Sequence, residues 1–443
     1  MKILLINSLD LGGGASAIAR SLGETLLSRG HEVAMVVGLK RTQLPWVHEV
    51  RVPAQGTPVE SLVRRTLGWL TRQSTSHPKV HERTRRLLQL TQVRSAWNQA
   101  RGFEDFALRS SGRILEQLNF DPEVIHVHNL HVFAGMTHFD IRALPALSAE
   151  RRLVFTLHDT WAFTGHCAYF FACERWRTGC GQCPDLSMYP AIRYDRSAES
   201  LSTKAGVYRN LRYTLTGPSR WIVDCARASV LAGGMERSQV VPNGIDLTFF
   251  SPAPSFHEAR RALGLADDER AIAFISDLGR NTPYRDYGFM ERVLAEYEAS
   301  ARTGRLVVFE VGGQAGERRG ARTRQVGTGV LNVTGVRDLL RGCDALLHPA
   351  KTDNFPTVIL EAMACGTPAI ATAVGGIPEQ IVPGVDGFLH APGDLGAALS
   401  ALDTIAADVR GTGRLRAAAR QSAEARFDRT RMVTDYEALY GAK

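Results

Sequence analysis

His348-Pro-Ala-Lys-Thr-Asp-Asn-Phe-Pro-Thr-Val-Ile-Leu-Glu-Ala-Met-Ala-Cys-Gly-Thr-Pro-Ala-Ile-Ala-Thr-Ala-Val-Gly-Gly-Ile-Pro-Glu379 has the strand–turn–helix–strand pattern of a parallel α/β sheet. An apolar strand, Ala345 to His348, runs into a polar turn and then a helix. Asp353, Asn354 and Thr357 fall where a cap and first turn are expected, so unpaired N–H groups and the positive helix end would face an anion, most naturally a phosphate. Asp353 and Glu361 are spaced by a little over two helical turns, which puts a carboxylate at each end of such a helix and suits a polyol with a phosphate between. The strand Gly366 to Thr372 and the turn Gly375-Gly376-Ile377-Pro378-Glu379 add a second strand-to-turn edge beside the first, where ligands of open α/β sheets sit.

Size and composition bound the rest. A chain of 443 residues is too long for one core and suits two domains. An apolar content of 44% and a charged content of 22% are those of a globular protein. No run offers the ~20 apolar residues of a membrane span. The opening Met1-Lys-Ile-Leu-Leu-Ile-Asn7 reads as a first buried parallel strand and not as a leader, so a cytoplasmic protein is expected. The net charge of +8 argues for acidic partners. No nucleic-acid module is recognisable, so nucleic acid ranks last among them.

Outward from the deciding stretch, Leu11 to Ser16 is a glycine-rich turn into a helix, with Gly13 and Gly14 placed to meet a phosphate. Residues 60 to 116 break the strand–helix rhythm and read as basic helices carrying Arg64, Arg65, Arg85 and Arg86 with interleaved Trp69 and Trp97. Such helices either pack their apolar stripe on the domain or lie on an anionic membrane, at the inner face in this case. The strand Val124 to His128 ends in polar residues: His126 belongs to the strand interior, while His128 and His131 stand at its carboxyl end. A metal held by the three is set aside, because alternation along the strand separates His126 and His128 from His131 and no obvious carboxylate completes a site. The strand Leu153 to Leu157 has a similar polar tip in His158 and Asp159.

Cys167, Cys173, Cys180 and Cys183 crowd one loop, residues 165 to 184. Clustered thiols in a cytosolic chain favour metal over disulfides, so a structural zinc with four sulfur ligands is expected there, with two disulfides or unligated thiols as the alternatives. After Pro252 and Pro254, the strand Ala271 to Ser276 leads to Arg280 and Arg285, whose guanidiniums can fork onto phosphate oxygens. Arg414 to Tyr440 reads as an amphipathic last helix.

The segment Asp353-Asn-Phe-Pro-Thr-Val-Ile-Leu-Glu361-Ala-Met-Ala-Cys-Gly366 resembles the motif E-[GS]-F-G-x-x-x-x-E-A-M-A-x-G of retaining glycosyltransferases of family 4, with Asp353 in place of the first Glu. Arg280 and Arg285 keep the spacing of that family's Gly-Arg-x4-Lys-Gly, with Arg for Lys. The run from His158 through the four cysteines to Pro184 looks like a subgroup associated with exopolysaccharide assembly, including the colanic acid transferases.

The resemblance implies the GT-B fold: two Rossmann-like, doubly wound parallel-sheet domains facing a cleft. It assigns residues 1–216 to an acceptor-binding domain, 217–420 to a nucleotide-sugar domain and 421–443 to a helix crossing back to the first. It also implies transfer of a sugar from a nucleoside diphosphate, UDP or GDP, to a glycan, lipid-linked or natural-product acceptor. Arg280 and Arg285 would hold the diphosphate, with Asn354, Phe355, Pro356 and Thr357 beside it and Glu361 on the ribose. Asp353 would meet the sugar and His128 the reacting centre, with His131, His158 and Asp159 toward the acceptor and no cofactor for the chemistry. A phosphorylase or epimerase of the same fold, or a non-catalytic nucleotide-sugar-binding subunit, are the alternatives.

Overall fold

The computed structural model describes residues 1–50, 109–131, 139–276, 282–302, 304–410 and 413–441, with residues 66, 67, 69, 70, 80 and 83. Arg280, and the basic segment 60 to 116 up to residue 108 apart from those six residues, lie outside the described residues. The chain divides into two compact units, Met1–Thr216 with Val223–Gln239, and Gly217–Ile222 with Val240–Lys443.

The first unit is built on a sheet of seven strands: β1 (Lys2–Leu9), β2 (Glu32–Leu39), β3 (Val47–Glu49), β4 (Val124–Val127), β5 (Arg152–Thr156), β6 (Tyr213–Gly217) and β7 (Met235–Val240). Their order is β3-β2-β1-β4-β5-β6-β7. The ladders β3–β2, β2–β1, β1–β4, β4–β5 and β5–β6 are parallel. The winding runs outward from β1 in one direction and then restarts from β4 in the other, so the strand order reverses between β1 and β4. A helix, Gly14–Ser28, follows β1 at once, and Gly13, with φ of 79°, caps it in a conformation that glycine adopts without strain.

The second unit repeats the design with β8 (Arg270–Ile275), β9 (Leu306–Val311), β10 (Gly316–Arg319), β11 (Thr323–Gly329), β12 (Ala345–His348), β13 (Ala369–Thr372) and β14 (Gly387–His390). The order is β10-β11-β9-β8-β12-β13-β14, all parallel except the fully exposed edge strand β10, which pairs antiparallel with β11. Its reversal falls between β8 and β12.

Alternation explains why these strands read as unbroken apolar runs. Ala271 and Ala273 point to one buried cluster with Val307, Phe309 and Leu346, while Ile272 and Phe274 point to the opposite one with Leu306, Val308 and Leu347. Both faces are covered by helices, so both faces of the strands are predominantly apolar. The expected doubly wound α/β domains are what the chain forms.

Asp344, at the amino end of β12, pairs with Arg260 of the helix Phe256–Ala262 and is also bonded to the amino end of β8. Arg260 Nη1 donates to Asp344 Oδ1 at 2.9 Å, with side chains 8% and 5% exposed. The other carboxylate oxygen accepts from the Ala271 N–H at 2.6 Å. Every atom of the carboxylate is therefore engaged, and removing it strands a buried guanidinium. Asp344→Ala should lower the unfolding free energy by about 3–5 kcal/mol, read from urea unfolding, whereas a loss near the ~0–1 kcal/mol of surface pairs would show that the second unit does not lean on it.

Candidate functional site

In the second unit the site begins where β12 ends. Segment 284–286 runs antiparallel to 349–351: Lys351 N donates to the Tyr284 carbonyl at 2.8 Å and Asp286 N to the Pro349 carbonyl at 2.7 Å. This brings Arg285 beside Asp353, and its Nη1 donates to Asp353 Oδ2 at 2.8 Å, both side chains being 14% exposed. His348, the last residue of β12 and 1% exposed, approaches the same oxygen through Nε2 at 3.5 Å. That distance is too long for a hydrogen bond, and Nε2 has no hydrogen-bond partner among the described residues. Burial opposes ionisation of Asp353, but the Arg285 charge and the His348 contact prevail and hold its carboxyl below the usual range. His348 is pushed down to about 4, first by burial and then by the Arg285 charge, against the pull of Asp353.

The helix after this loop is Thr357–Ala364, capped by Pro356 without a side-chain cap. This corrects the expectation that Asp353 and Asn354 open it. Asp353 is occupied by Arg285, and buried Asn354 accepts at Oδ1 from the Ser219 hydroxyl at 2.6 Å. Phe355 and Pro356 are held by their carbonyls, which accept from Asn243 Nδ2 at 3.3 Å and Gln380 Nε2 at 3.0 Å. Thr357 is the first helical residue, so the first-turn N–H groups receive no side chain from the cap. Glu361 lies mid-helix and half-buried, so the two acids do not mark the helix ends.

The glycine pair behind the loop is there for space. A Cβ on Gly375 (φ +56°) would lie 1.9 Å from the Asp353 carbonyl oxygen, and one on Gly376 would lie 2.0 Å from that of Asn354. Only glycine lets the second strand-to-turn edge close on the first.

Residues 317–425 match the family model described as glycosyl transferases group 1. This segment is similar to the group 1 glycosyl transferases. Asp353 and Glu361 fall within the matched glycosyl transferase segment, while Arg285 and His128 lie before it. The chain is 27% identical over 259 residues to the putative colanic acid biosynthesis glycosyl transferase WcaC of Escherichia coli K12, covering 57% of this chain and 60% of that protein. It is 38% identical over 182 residues to the D-inositol 3-phosphate glycosyltransferase of Actinosynnema mirum, covering 36% of this chain and 42% of that one. The chain thus spans about half the length of the curated relatives it matches.

Solved structures extend the likeness to the whole chain. Anabaena Alr3699/HepE in complex with UDP and glucose aligns over 100% of both chains at TM-score 0.60 and 16% identity. Sucrose-phosphate synthase from Thermosynechococcus elongatus aligns over 99% of this chain and 98% of that one at TM-score 0.58 and 18% identity. At such identities the likeness is one of fold, the GT-B fold.

The first unit has its own polar cluster at the carboxyl ends of β1, β4 and β5. His126, inside β4, bonds Thr156 Oγ1 through Nε2 at 2.7 Å and is structural, as its strand position implies. His128 Nδ1 meets His158 Nε2 at 2.9 Å, and the buried His128 Nε2 has no partner among the described residues. Burial pushes His126 to about 3, His158 to about 4 and His128 well below its ordinary value, so the three are neutral near pH 7. His131 Nε2 lies 3.2 Å from Asp159 Oδ2, which also accepts from Asn129 Nδ2 at 3.1 Å. Tyr189 Oη reaches His131 Nδ1 at 3.3 Å. The Ser8 hydroxyl holds the turn through the carbonyls of Asn129 and His131, each at 3.0 Å. The structure thus brings together His128, His131, His158 and Asp159, and adds Asn129, Ser8 and Tyr189. Ser8 had a signal in the sequence, as a polar residue at the end of an apolar strand, whereas Tyr189 had none.

The expected zinc site is not assembled. Cys167, Cys173, Cys180 and Cys183 line one cavity of about 20 Å³ together with His166, Phe170 and Trp176. All seven cysteines are free, and among the described residues no three His, Cys, Asp or Glu side chains are arranged to hold a metal ion. The cavity is partly walled by aromatic rings, and burial pushes the Cys167 thiol up to about 12. The loop is braced instead by the buried Lys204, whose Nζ donates to the carbonyls of Trp161 at 2.9 Å and Thr164 at 3.1 Å and lies 3.7 Å from the Trp161 ring centre. No helix among the described residues is long and apolar enough to cross a membrane.

The buried imidazoles carry a pH signature. Each binds fewer protons in the folded chain than in the unfolded one between about pH 6.5 and its depressed value, so stability is full above that window and falls as pH drops through it. The fall should reach about 1.4 kcal/mol per pH unit for each histidine concerned. Urea midpoints taken near pH 7 and near pH 5 check this, and His126→Gln should make the dependence shallower.

Proposed function

We propose that this protein is a glycosyltransferase that moves a sugar from a nucleoside diphosphate to an acceptor hydroxyl with retention of anomeric configuration. The observation that carries this reading is the Arg285–Asp353 pair beside His348 at the end of β12, at the switch point of a doubly wound sheet that carries the group 1 match. A guanidinium and a carboxylate side by side suit a ligand whose diphosphate adjoins a ring of hydroxyls.

The roles follow from charge. Arg285, with Arg280 from outside the described residues, binds the diphosphate and offsets the charge that grows on it as the bond to the sugar breaks. The N–H groups at Asn354 to Thr357 add dipoles of the same sign. Asp353 accepts from the sugar hydroxyls and Glu361 from the ribose. The acceptor oxygen attacks C1 from the face the diphosphate leaves; the new C1–O bond forms, the C1–O–P linkage breaks with its electron pair on the phosphate oxygen, and that oxygen takes the acceptor proton. His128 holds the transferred sugar through its open Nε2, and the Asn129–His131–Asp159 cluster takes the acceptor, a glycan or a lipid-linked sugar. Arginine charge does the work that a metal would otherwise do on the diphosphate, so chelators should leave the rate unchanged.

A thermal-shift screen against UDP, GDP, ADP and TDP and their sugars tests the donor site. One nucleotide should stabilise the fold by roughly 2.7 kcal/mol at a hundred times its Kd, and Arg285→Ala should abolish the effect. No response to any of the four would sink the assignment. With the donor known, His128→Ala should slow transfer by roughly a hundredfold, whereas unchanged transfer would remove His128 from the site.

A further inference from the structure

The proposed roles set Arg285 and Asp353 a conflict, because each is the other's partner in the structure. Nη1 of Arg285 and Nε2 of His348 both approach one oxygen, Asp353 Oδ2, at 2.8 and 3.5 Å. Asp353 Oδ1 has no partner among the described residues and is the oxygen open to a ligand hydroxyl. Among the described residues His348 Nε2 is a buried nitrogen with no hydrogen bond, held just beyond reach of a carboxylate already taken. Among them, Nε of Arg285 is buried and unpartnered as well. A buried imidazole nitrogen is seldom left without a partner unless the partner arrives in another state.

We propose that His348 is a positioning residue that receives Asp353 when the donor diphosphate draws Arg285 away, so that Oδ2 passes from a guanidinium to an imidazole N–H while Oδ1 stays turned to the sugar. This rests on the donor reading above. The exchange keeps the carboxylate buried and bonded throughout, so Arg285 can be spent on phosphate without stranding a charge. It also changes what the sugar meets. Beside Arg285 the Asp353 charge is neutralised, whereas a neutral imidazole donor leaves the full negative charge next to a sugar whose C1 turns positive as the leaving group departs. His348 is suited to that part, because burial and the Arg285 charge keep it neutral and able to donate a single N–H. Catalytic hydrogen bonds are commonly long before substrate binds and shorten in the complex.

The test follows the His348 Nε2–H resonance in histidine-labelled protein, assigned by its loss in His348→Gln. Arg285→Met keeps the stem and removes the donors, and so imitates the departure of Arg285 without any ligand. A downfield, exchange-protected resonance should appear in Arg285→Met and vanish in Arg285→Met/Asp353→Asn. The same resonance should appear in the wild-type chain on adding whichever of UDP, GDP, ADP or TDP binds. His348→Leu should weaken binding of the nucleotide sugar by about tenfold while leaving the bare nucleotide unaffected, and His348→Gln, which keeps a donor, should restore it. No such resonance in Arg285→Met overturns the hand-over whatever binds. Its presence there but not in the nucleotide complex overturns the donor as its trigger. Binding of none of the four nucleotides overturns the donor reading and the trigger together, while the Arg285→Met spectrum still judges the hand-over on its own.

Discussion

A parallel sheet covered on both faces leaves its polar side chains almost nowhere to go but the strand ends. β1, β4, β8 and β12 are buried along nearly their whole length, and their polar residues emerge together where the winding reverses. In the first unit that place holds His128, Asn129 and His131; in the second it holds His348 and the loop to Asp353. Both sheets have the same order of parallel strands around the reversal, so a histidine at the end of the fourth-wound strand is common to the two. The chemistry sits there because the apolar packing excludes it from everywhere else.

That constraint is also why much was legible before any coordinates. Runs such as Ile3 to Ile6 and Ala271 to Ile275 can only be two-sided strands, and the turn after each marks a site edge. Asp353 to Gly366 was readable because motif residues lie close in the chain. Pairings between distant segments were not. Nothing in the sequence says that Asp353 meets Arg285, or that Asn354 is taken by Ser219, because those contacts depend on loops 68 and 135 residues apart meeting in space. The helix cap was misread for the same reason, since a side chain with a stronger distant partner does not turn back to its own helix. The thiols show the opposite case: their closeness in sequence does bring them to one cavity, but among the described residues no three of them are arranged to hold a metal ion.

Charge is used sparingly at both strand-end clusters. His126, His128, His158 and His348 are driven toward the neutral form by burial. A neutral imidazole offers one donor and one acceptor, so a pair such as His128 and His158 can pass a hydrogen bond along without the desolvation cost of a buried cation. The one guanidinium buried beside a site carboxylate, Arg285, then stands out as the strong local source of positive potential among the described residues of its loop.

The exposed edge of the second sheet has a bearing on how the protein behaves at high concentration. β10, Gly316-Glu-Arg-Arg319, is short, wholly exposed, antiparallel to its neighbour and charged at three of its four positions, with Glu317 held between Arg319 and Arg324. A parallel sheet ending at β11 would present a longer row of open backbone groups to any similar edge, an invitation to intermolecular strand pairing. The hairpin closes that row with a strand that repels its own copies, so the same element that adds little to the core keeps crowded molecules from zipping together.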